Sequence, residues 1–325
     1  MAEIYTKDNN GNLKSLGDAD INKVKTVVNG AELSKFIKDF WTDKKSGKHP
    51  ELMNKHKAIL EADLLVSPKD LFEQLNANKF IFQNFGPVNI SDFLRKAKLD
   101  SYLKPEFVNH ALNVTTHQPA IGKGEFLLVS CFKNINFAFE SGDLIDDDGN
   151  RIEVKGNHAP IGGPKGFKQM NKSLMFSIYR LFNTNPDSND LTMDCAKDLE
   201  KKLIDNPSLV RQTMLFLQNN IKESSVLANQ MTELFNEKHN LLNVIAAAHL
   251  FAYLRLQKAN FLFAINDKAF AGFKAPDNLK QSYDIIQHFN VNGWFTGNRG
   301  ITFTLKRTGW YQVFRRVKEC SHIII

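Results

Sequence analysis

Cysteine is scarce in this chain and long apolar runs are missing, and both absences restrict what the protein can be. Only three of the 325 residues are cysteines, far apart and odd in number: Cys131, Cys195 and Cys320. This excludes a disulfide framework and a zinc cluster and indicates a reducing compartment. No run reaches the roughly 18 apolar residues of a membrane span, and residues 1–7 lack the apolar core of a signal peptide. We therefore expect a cytoplasmic protein without a membrane partner.

Several enzyme signatures are also missing. The chain has no glycine pattern ending in Gly-Lys-Ser/Thr, no serine-hydrolase elbow and no dinucleotide-binding glycine fingerprint. His249, within the apolar segment 244–254, has no second histidine or carboxylate at ligand spacing nearby. A core histidine is therefore the favoured interpretation, rather than a metal ligand.

The composition favours a well-packed protein with a polyanionic partner. Hydrophobic residues make up 42% of the chain, which is enough for full cores, and its 325 residues exceed the usual size of a single core. The net charge of +7 favours association with a polyanion such as a nucleic acid. The richness in lysine, asparagine and phenylalanine indicates a bacterial or bacteriophage protein.

The most informative segment is a predicted β-hairpin at residues 142–156. Asp143, preceded by Gly142, lies in a run that can pair back across a tight turn at Asp148-Gly149. That residue pair suits a turn with positive φ. The hairpin is expected to bring the aspartate beside the second strand.

That second strand is expected to alternate between core and site residues. Ile152 and Val154 point into a core, so Glu153 and Lys155 share the other face. The hairpin places Asp143 beside Glu153, and neighbouring carboxylates repel each other unless a cation is shared. Mg²⁺, for which Mn²⁺ can substitute, is the expected occupant because it commonly uses only one or two protein carboxylates plus substrate phosphate. A phosphodiester is therefore the expected substrate, with Lys155 supplying positive charge.

The pattern resembles the PD-(D/E)XK (restriction-endonuclease-like) nuclease superfamily: Asp143, nine intervening residues, then Glu153-Val154-Lys155. Gly142 stands where the name-giving proline would be, a common departure at a position that is not a ligand. The resemblance implies that Asp143 and Glu153 bind the metal, with the Val154 carbonyl assisting. It implies that Lys155 is the catalytic lysine.

Many members of that superfamily also carry a glutamate on the helix before the aspartate strand. Residues 123–134 are predicted to form a helix, with Phe126, Val129 and Phe132 near helical spacing. Glu125 lies at the start of this segment, about one helix and one strand before the aspartate. The resemblance implies that Glu125 binds or orients a second ion or a water molecule.

Other interpretations of the hairpin are open. The simplest is an exposed acidic hairpin in which Glu153 and Lys155 form a surface pair that adds little stability. The turn also contains three consecutive aspartates: Asp146, Asp147 and Asp148. They do not fit a calcium loop, because Gly149 as its sixth position would make Leu144 the first ligand. A solvated turn is favoured, with Asp146 alone kept as a reserve ligand.

Two flanking segments contain candidates for substrate contact. Residues 156–166 are rich in glycine and proline, and Lys165 and Lys168 are expected to contact phosphates if the neighbouring site is real. A plain connecting loop is the alternative. The C-terminal segment interleaves aromatic with basic residues, and its candidates are Arg299, Lys306 and Arg307. Strands with buried aromatic residues are the favoured interpretation there, which still allows the basic residues to flank the site.

Residues 1–115 are predicted to be mostly helical. Ser67-Pro68 and Asp70 form a helix start, with a cap residue, a proline at the first position and an acid three after the cap. The region also contains several lysines: Lys35, Lys38, Lys44, Lys45, Lys48 and Lys55. A solvated face is the favoured interpretation of them, and a dedicated nucleic-acid surface is the alternative.

These features predict an α+β fold with a restriction-endonuclease-like mixed β-sheet core flanked by helices. We expect a helical N-terminal region (1–115), a catalytic core (116–189), a helical insertion (190–258) and C-terminal strands and a helix that complete the core (259–325). Candidate closing strands lie at 260–265 and 300–305. Periodicity does not distinguish the insertion from a separate domain.

The expected activity is Mg²⁺-dependent hydrolysis of DNA by an endonuclease. An alternative from another class is a non-catalytic DNA-binding or phage structural protein that retains the nuclease-like fold. A restriction or repair enzyme within a larger assembly is a third possibility. A homodimer and a component of a phage particle are both open, and so are the bacterial host cytoplasm and the virion as locations.

Overall fold

Helices and strands of the computed structural model form an α+β protein with a mixed sheet, as the sequence predicts. The structure describes residues 5–7, 13–15, 30–42, 44, 50–114, 121–138, 142–156, 159–160, 178–182, 193–219, 227–266, 269–292 and 302–306. None of the helices in this part of the chain combines the length and hydropathy that a bilayer-spanning segment requires.

The helices of the N-terminal half precede the hairpin. They are α1 (Gly30–Thr42), α2 (Pro50–Asp63), α3 (Pro68–Ala77), α4 (Ile90–Lys96), α5 (Glu106–Leu112) and α6 (Lys123–Cys131). The predicted start of α3 is confirmed, because the Ser67 side chain accepts a hydrogen bond from the Asp70 amide and Pro68 stands in the first turn. The predicted helix at 123–134 is confirmed as α6, which ends at Cys131.

Most helices of the C-terminal half lie in sequence between the hairpin and the strand Phe261–Ile265. They are α7 (Met193–Asp205), α8 (Pro207–Gln218), α9 (Leu227–Lys238), α10 (Leu241–Leu256) and α11 (Leu279–Ile286). Helix α10 is buried along almost its whole length, and Asn240 caps its start by accepting from the Asn243 amide. His249 is 1% exposed within it, in agreement with the core position that the sequence favours.

The strands form three sheets within the described residues. They are β1 (Tyr5–Lys7), β2 (Leu13–Ser15), β3 (Phe85–Val88), β4 (Ile135–Phe137), β5 (Leu144–Asp146), β6 (Arg151–Lys155), β7 (Ala159–Pro160), β8 (Phe261–Ile265), β9 (Phe270–Lys274), β10 (Phe289–Asn292) and β11 (Thr302–Leu305). The main sheet has the order β3-β9-β8-β6-β5-β4. Strands β1 and β2 pair with each other, and β10-β11-β7 form the third sheet.

The main sheet is mixed because one of its strand pairs is parallel. Strands β4, β5 and β6 form an antiparallel meander, and β8 then lies parallel to β6. Parallel neighbours need a long crossover connection, and helices α7 to α10 occur along it. Strands β9 and β3 add antiparallel pairs on the far side.

Helices cover both faces of this sheet. Successive residues of β8 point to opposite faces of the sheet. On one face, Phe261 and Phe263 pack into the core that contains α1 to α6. On the other face, Leu262 and Ala264 pack into the core that contains α7 to α11. Every residue of β8 is buried, as expected for a central strand covered on both sides. The candidate site lies at β5 and β6 of this three-layer arrangement.

The structure differs from the sequence-based expectations at three places. The predicted strand at 300–305 forms β11, but it pairs with β10 and β7 and not with the main sheet. The mostly helical N-terminal region contributes an edge strand, β3, to the main sheet. Lys44 is 2% exposed and does not belong to a solvated face, because its ammonium donates to backbone carbonyls at the end of α6.

Candidate metal centre

Asp143 is fixed at the start of β5 by its own backbone. Its amide donates to the carbonyl of Ile152 at 3.1 Å, and its carbonyl accepts from the amide of Ala138 at 3.1 Å. Gly142 has a φ of +72°, in the left-handed region that favours glycine. Proline cannot adopt that angle, so the backbone itself explains why glycine stands at the position before the aspartate.

The turn between β5 and β6 forms as the sequence predicts. Gly149 has a φ of +87°, and its amide donates to the Asp146 carbonyl at 3.2 Å. The Asp146 carboxylate accepts from the amides of Asp148 and Asn150 at 3.0 and 2.7 Å, and from the Asn150 side chain at 2.9 Å. Asp146 therefore builds the turn, and its oxygens are already occupied, which argues against the role of reserve ligand.

Strand β6 presents Glu153 and Lys155 on one face, as the alternation predicts. Glu153 is 2% exposed, and one of its oxygens, Oε1, accepts hydrogen bonds from both the Lys155 ammonium and the Tyr253 hydroxyl. The opposite face of β6 carries Ile152 and Val154, which pack into the core of the N-terminal helices. Since Glu153 and Lys155 are largely covered, the interpretation as an exposed surface pair is wrong.

The two strands are joined at the site by a direct hydrogen bond. The backbone amide of Val154 donates to Oδ2 of Asp143 at 2.7 Å. This bond turns the aspartate side chain toward β6 and brings it near Glu153, whose charge acts on it. The amide of Val154 is thus a structural contact, and a ligand role for its carbonyl stays a prediction.

Glu125 reaches the same place from the first turn of α6. Its carboxylate folds back toward Gly122, the residue that precedes the helix, and the Gly122 amide stabilises the ionised form. Gly124 lets the helix approach the sheet, because a Cβ built there would lie 2.7 Å from Cγ1 of Val154 and closer still to Ile265. The hairpin and α6 therefore bring the three predicted acids and the predicted lysine together.

Burial and mutual repulsion make the acids hard to ionise. Burial, with the nearby Glu153 charge, raises the pKa of Asp143 from 3.8 to about 6, although Lys155 and the Val154 amide act in the opposite direction. Burial, with the charge of Asp143, raises the pKa of Glu125 from 4.5 to about 7. Asp143 and Glu125 each hold their proton more tightly chiefly because they are buried, and a nearby negative charge adds to the effect.

Lys155 and Tyr253 keep their protons. Burial alone would lower the pKa of Lys155, but the charge of Glu153 outweighs it and raises that pKa above its ordinary value. Burial, followed by the Glu153 charge, raises the pKa of the Tyr253 hydroxyl. At neutral pH the site therefore contains a lysine cation and a neutral phenol whose hydroxyl donates a hydrogen bond to Glu153.

The charge balance of the site fits a divalent cation. Among the residues that the structure describes at this site, three carboxylates, from Glu125, Asp143 and Glu153, face one ammonium, that of Lys155. Within the described residues, no three side chains of the histidine, cysteine, aspartate and glutamate type stand in metal-binding geometry. Mg²⁺ needs only one or two protein carboxylates, and Asp143 with Oε2 of Glu153 or with Glu125 supplies them. The donor chemistry therefore fits, with water and substrate completing the coordination.

Most of the predicted substrate-contact residues lie outside the described residues: Lys165, Lys168, Arg299 and Arg307. Lys306 is described and follows β11, where its ammonium donates to the Gln287 carbonyl at 2.7 Å. This contact ties Lys306 to the end of α11, and its role in substrate contact stays a prediction.

Sequence reasoning did not identify Tyr253 as part of the site. The residue lies in the apolar segment 244–254, which the sequence assigns to a buried helix. A signal was present there, because a tyrosine inside an apolar helix brings a hydroxyl that needs a hydrogen-bond partner when buried. The partner, Glu153, is a hundred residues away in sequence.

Comparison with known proteins gave no match: no family model, no curated protein and no solved structure matches the chain.

Proposed function

We propose that this protein is a Mg²⁺-dependent endodeoxyribonuclease of the PD-(D/E)XK type. The observation that carries the proposal is the convergence of Glu125, Asp143, Glu153 and Lys155 from one helix and two strands. Three of these residues belong to one hairpin and the fourth to the helix before it, and the resemblance implies this set. Burial, followed by the repulsion of neighbouring carboxylates, raises the pKa values of Glu125 and Asp143, as is common for acids at functional sites.

The order of the elements also supports the proposal. Helix α6 with Glu125 is followed by the meander β4, β5 and β6, which contains Asp143 and then Glu153 with Lys155. Helices flank both faces of the mixed sheet, and β8 pairs with β6 as a parallel neighbour. A mixed sheet core flanked by helices, with the acids in this order, is what the resemblance to that superfamily implies.

Each residue has a chemical role in the proposed reaction. Asp143 and Glu153 would hold the ion, and Glu125 would orient a second ion or a water molecule. When bound, Mg²⁺ supplies Lewis-acid chemistry at the phosphodiester. Lys155 remains an ammonium ion, so it neutralises negative charge that develops at the phosphate and does not act as a base.

DNA is the proposed substrate because the charges favour a polyanion. The chain has a formal net charge of +7, although the site itself contains more carboxylates than ammonium groups. A negative site in a positive protein suits a polyanion that approaches through long-range attraction, and the carboxylates would hold the cation that neutralises its phosphates. Phosphate contacts by lysine and arginine would provide most of the affinity.

The test is nicking of supercoiled plasmid DNA with Mg²⁺ or Mn²⁺, and with chelator as the negative arm. The wild type should cut only with the metal, and Asp143→Asn, Glu153→Gln and Lys155→Met should lose cleavage while retaining DNA affinity. Asp148→Asn is the matched control, because Asp148 is exposed in the turn of the same hairpin. Retained cleavage in Glu153→Gln would remove the mechanism.

One observation favours the alternative, a non-catalytic DNA-binding or structural protein with a nuclease-like fold. Oε1 of Glu153 is engaged by Lys155 and Tyr253, and the described residues form no three-ligand group. Such a scaffold would bind DNA equally well with and without Mg²⁺ and would leave the plasmid intact under every metal condition. The plasmid assay therefore separates the two functions.

A further inference from the structure

Tyr253 contacts both charged residues of β6. It lies near the end of α10, whose apolar residues share a core with Leu262 and Ala264 of the neighbouring strand. Its hydroxyl donates to Oε1 of Glu153, and the ammonium nitrogen of Lys155 lies 5.1 Å from the centroid of its ring. A cation at that distance over an aromatic face is attracted by the ring.

The two donors bind the same oxygen of Glu153. Oε1 accepts from the Tyr253 hydroxyl and from the Lys155 ammonium, so neither donor occupies Oε2. The terminal torsion of a glutamate is broad, and a carboxylate held by a single partner can swing about it. Two donors from different elements restrict that rotation, because turning the group would break both hydrogen bonds. The direction of Oε2 is thereby fixed.

Lys155 alone does not provide this restraint. Lys155 and Glu153 belong to the same strand, and the lysine side chain is long and can follow the carboxylate as it turns. The Tyr253 ring, by contrast, belongs to a buried helix and is 8% exposed, so its hydroxyl is a fixed point. The helix and the strand meet through this hydrogen bond.

We propose that Tyr253 is a positioning residue that holds the Glu153 carboxylate in the orientation needed for metal binding. The inference rests on the proposed function, because it assigns a role toward the ion at that site. A hydrogen-bond partner behind a metal ligand typically matters by roughly 10- to 100-fold in metal affinity or activity. Tyr253 is expected to act through Glu153 and without touching the substrate.

Tyr253→Phe is the informative variant because it removes only the hydroxyl, and with it the hydrogen bond to Glu153 and the interaction of that hydroxyl with Lys155. The ring remains, and with it the core packing and the cation–π contact to Lys155. Tyr283→Phe is the matched control, since Tyr283 is also 8% exposed and belongs to the same core. Chemical unfolding of both variants verifies that each one folds.

The primary measurement is Mn²⁺ binding without DNA, followed by electron paramagnetic resonance of the free ion. Tyr253→Phe should weaken Mn²⁺ binding by roughly tenfold, and the Mg²⁺ concentration for half-maximal nicking should rise with it. DNA affinity measured in chelator should stay unchanged. Tyr283→Phe should match the wild type in all three measurements.

A double-mutant cycle shows whether Tyr253 acts through Glu153. In the Glu153→Gln background, adding Tyr253→Phe should cause no further loss of Mn²⁺ binding, because the carboxylate that Tyr253 positions is already gone. Additive losses would overturn the inference, and so would wild-type Mn²⁺ binding in a folded Tyr253→Phe protein that still cuts DNA. A wild type that neither binds Mn²⁺ nor cuts DNA would instead end the proposed function, and the inference with it.

Discussion

Gly124 lies against Val154 so closely that no side chain fits between them. A Cβ built on Gly124 would be 2.7 Å from Cγ1 of Val154, a separation that real Cβ atoms essentially never show. Gly124 immediately precedes Glu125, and Val154 lies between Glu153 and Lys155. The absence of a side chain therefore sets the distance between the helix and the strand that together build the site.

Gly124→Ala should reduce cleavage strongly. The added methyl group would push α6 away from β6, and a displacement on the order of 1 Å at a catalytic group can cost about 100-fold in rate. Overpacking should also cost about 1–3 kcal/mol of stability, partly offset by the better helix propensity of alanine. Plasmid nicking and urea unfolding measure the two effects.

Gly30→Ala is the control for Gly124→Ala. Gly30 also lies in the first turn of a helix, and a Cβ built there meets nothing within 4 Å. This variant should cut DNA at the wild-type rate. Equal activity of the two alanine variants would show that the close approach of α6 to β6 is not needed for catalysis.

The raised pKa of Glu125 predicts a pH-dependent stability in chelator. The folded protein holds the Glu125 proton more tightly than the unfolded chain, so the free energy of unfolding falls as pH rises from about 4.5 to about 7. The groups that face Glu125 are Asp143, Glu153, Lys155 and the Gly122 amide. The contribution of Glu125 to this fall should be on the order of 2 kcal/mol, and Glu125→Gln should remove that contribution while the raised pKa of Asp143 keeps its own.

Urea unfolding in chelator at pH 5 and pH 8 gives the change in the free energy of unfolding between the two pH values. The measurement is made on the wild type and on Glu125→Gln. Adding Mg²⁺ at pH 8 should restore part of the lost stability in the wild type, since a cation relieves the repulsion between the carboxylates. Asp148→Asn, in the exposed turn, should leave the wild-type pH dependence unchanged. Parallel pH profiles for the wild type and Glu125→Gln would contradict the prediction.

Lys44 predicts a pH dependence of opposite sign. Burial lowers its pKa from 10.5 to about 7, although Asp147 acts in the other direction. The unfolded chain therefore binds this proton more tightly, and the free energy of unfolding should rise between pH 7 and pH 10. Lys44→Met should abolish that rise, as measured by urea unfolding at pH 7 and pH 9.

Lys44→Met should also destabilise the protein at both pH values. The Lys44 ammonium donates to the carbonyls of Phe132, Lys133 and Ile135 at 2.5, 3.1 and 2.8 Å. Methionine leaves these groups without that donor, at a cost of about 1–3 kcal/mol. Lys38→Met is the control because Lys38 is exposed on α1. A Lys44→Met protein as stable as this control would contradict the prediction.

The sequence predicted the hairpin and the grouping of its acids because both depend on local rules. The Asp148-Gly149 turn, the alternation of β6 and the helix before the hairpin each follow from short-range spacing. These features are enough to bring Asp143 to Glu153, and the structure places them together.

The remaining features depend on pairings over long sequence distances. Strand β11 is an apolar segment that the sequence marks as a strand, but local sequence does not show which sheet a strand joins, and β11 pairs with β10. Lys44 looks like a surface lysine in its local sequence, and only the end of α6, about ninety residues later, shows why it is buried. The contact between Tyr253 and Glu153 also joins residues far apart in sequence, because it forms only when α10 packs on the sheet.

Removing the Asp146 carboxylate should lower stability and spare cleavage, whereas removing the Asp143 carboxylate should abolish cleavage and cost less stability. Asp146 accepts three hydrogen bonds inside the turn, so Asp146→Ala should cost about 1–3 kcal/mol of stability. Its folded population should still cut plasmid DNA at about the wild-type rate at low temperature. Asp143→Ala should abolish cleavage with a smaller loss of stability, and Asp148→Ala should change neither property. A folded Asp146→Ala protein that no longer cuts DNA would place Asp146 among the metal ligands and contradict its assignment to the turn.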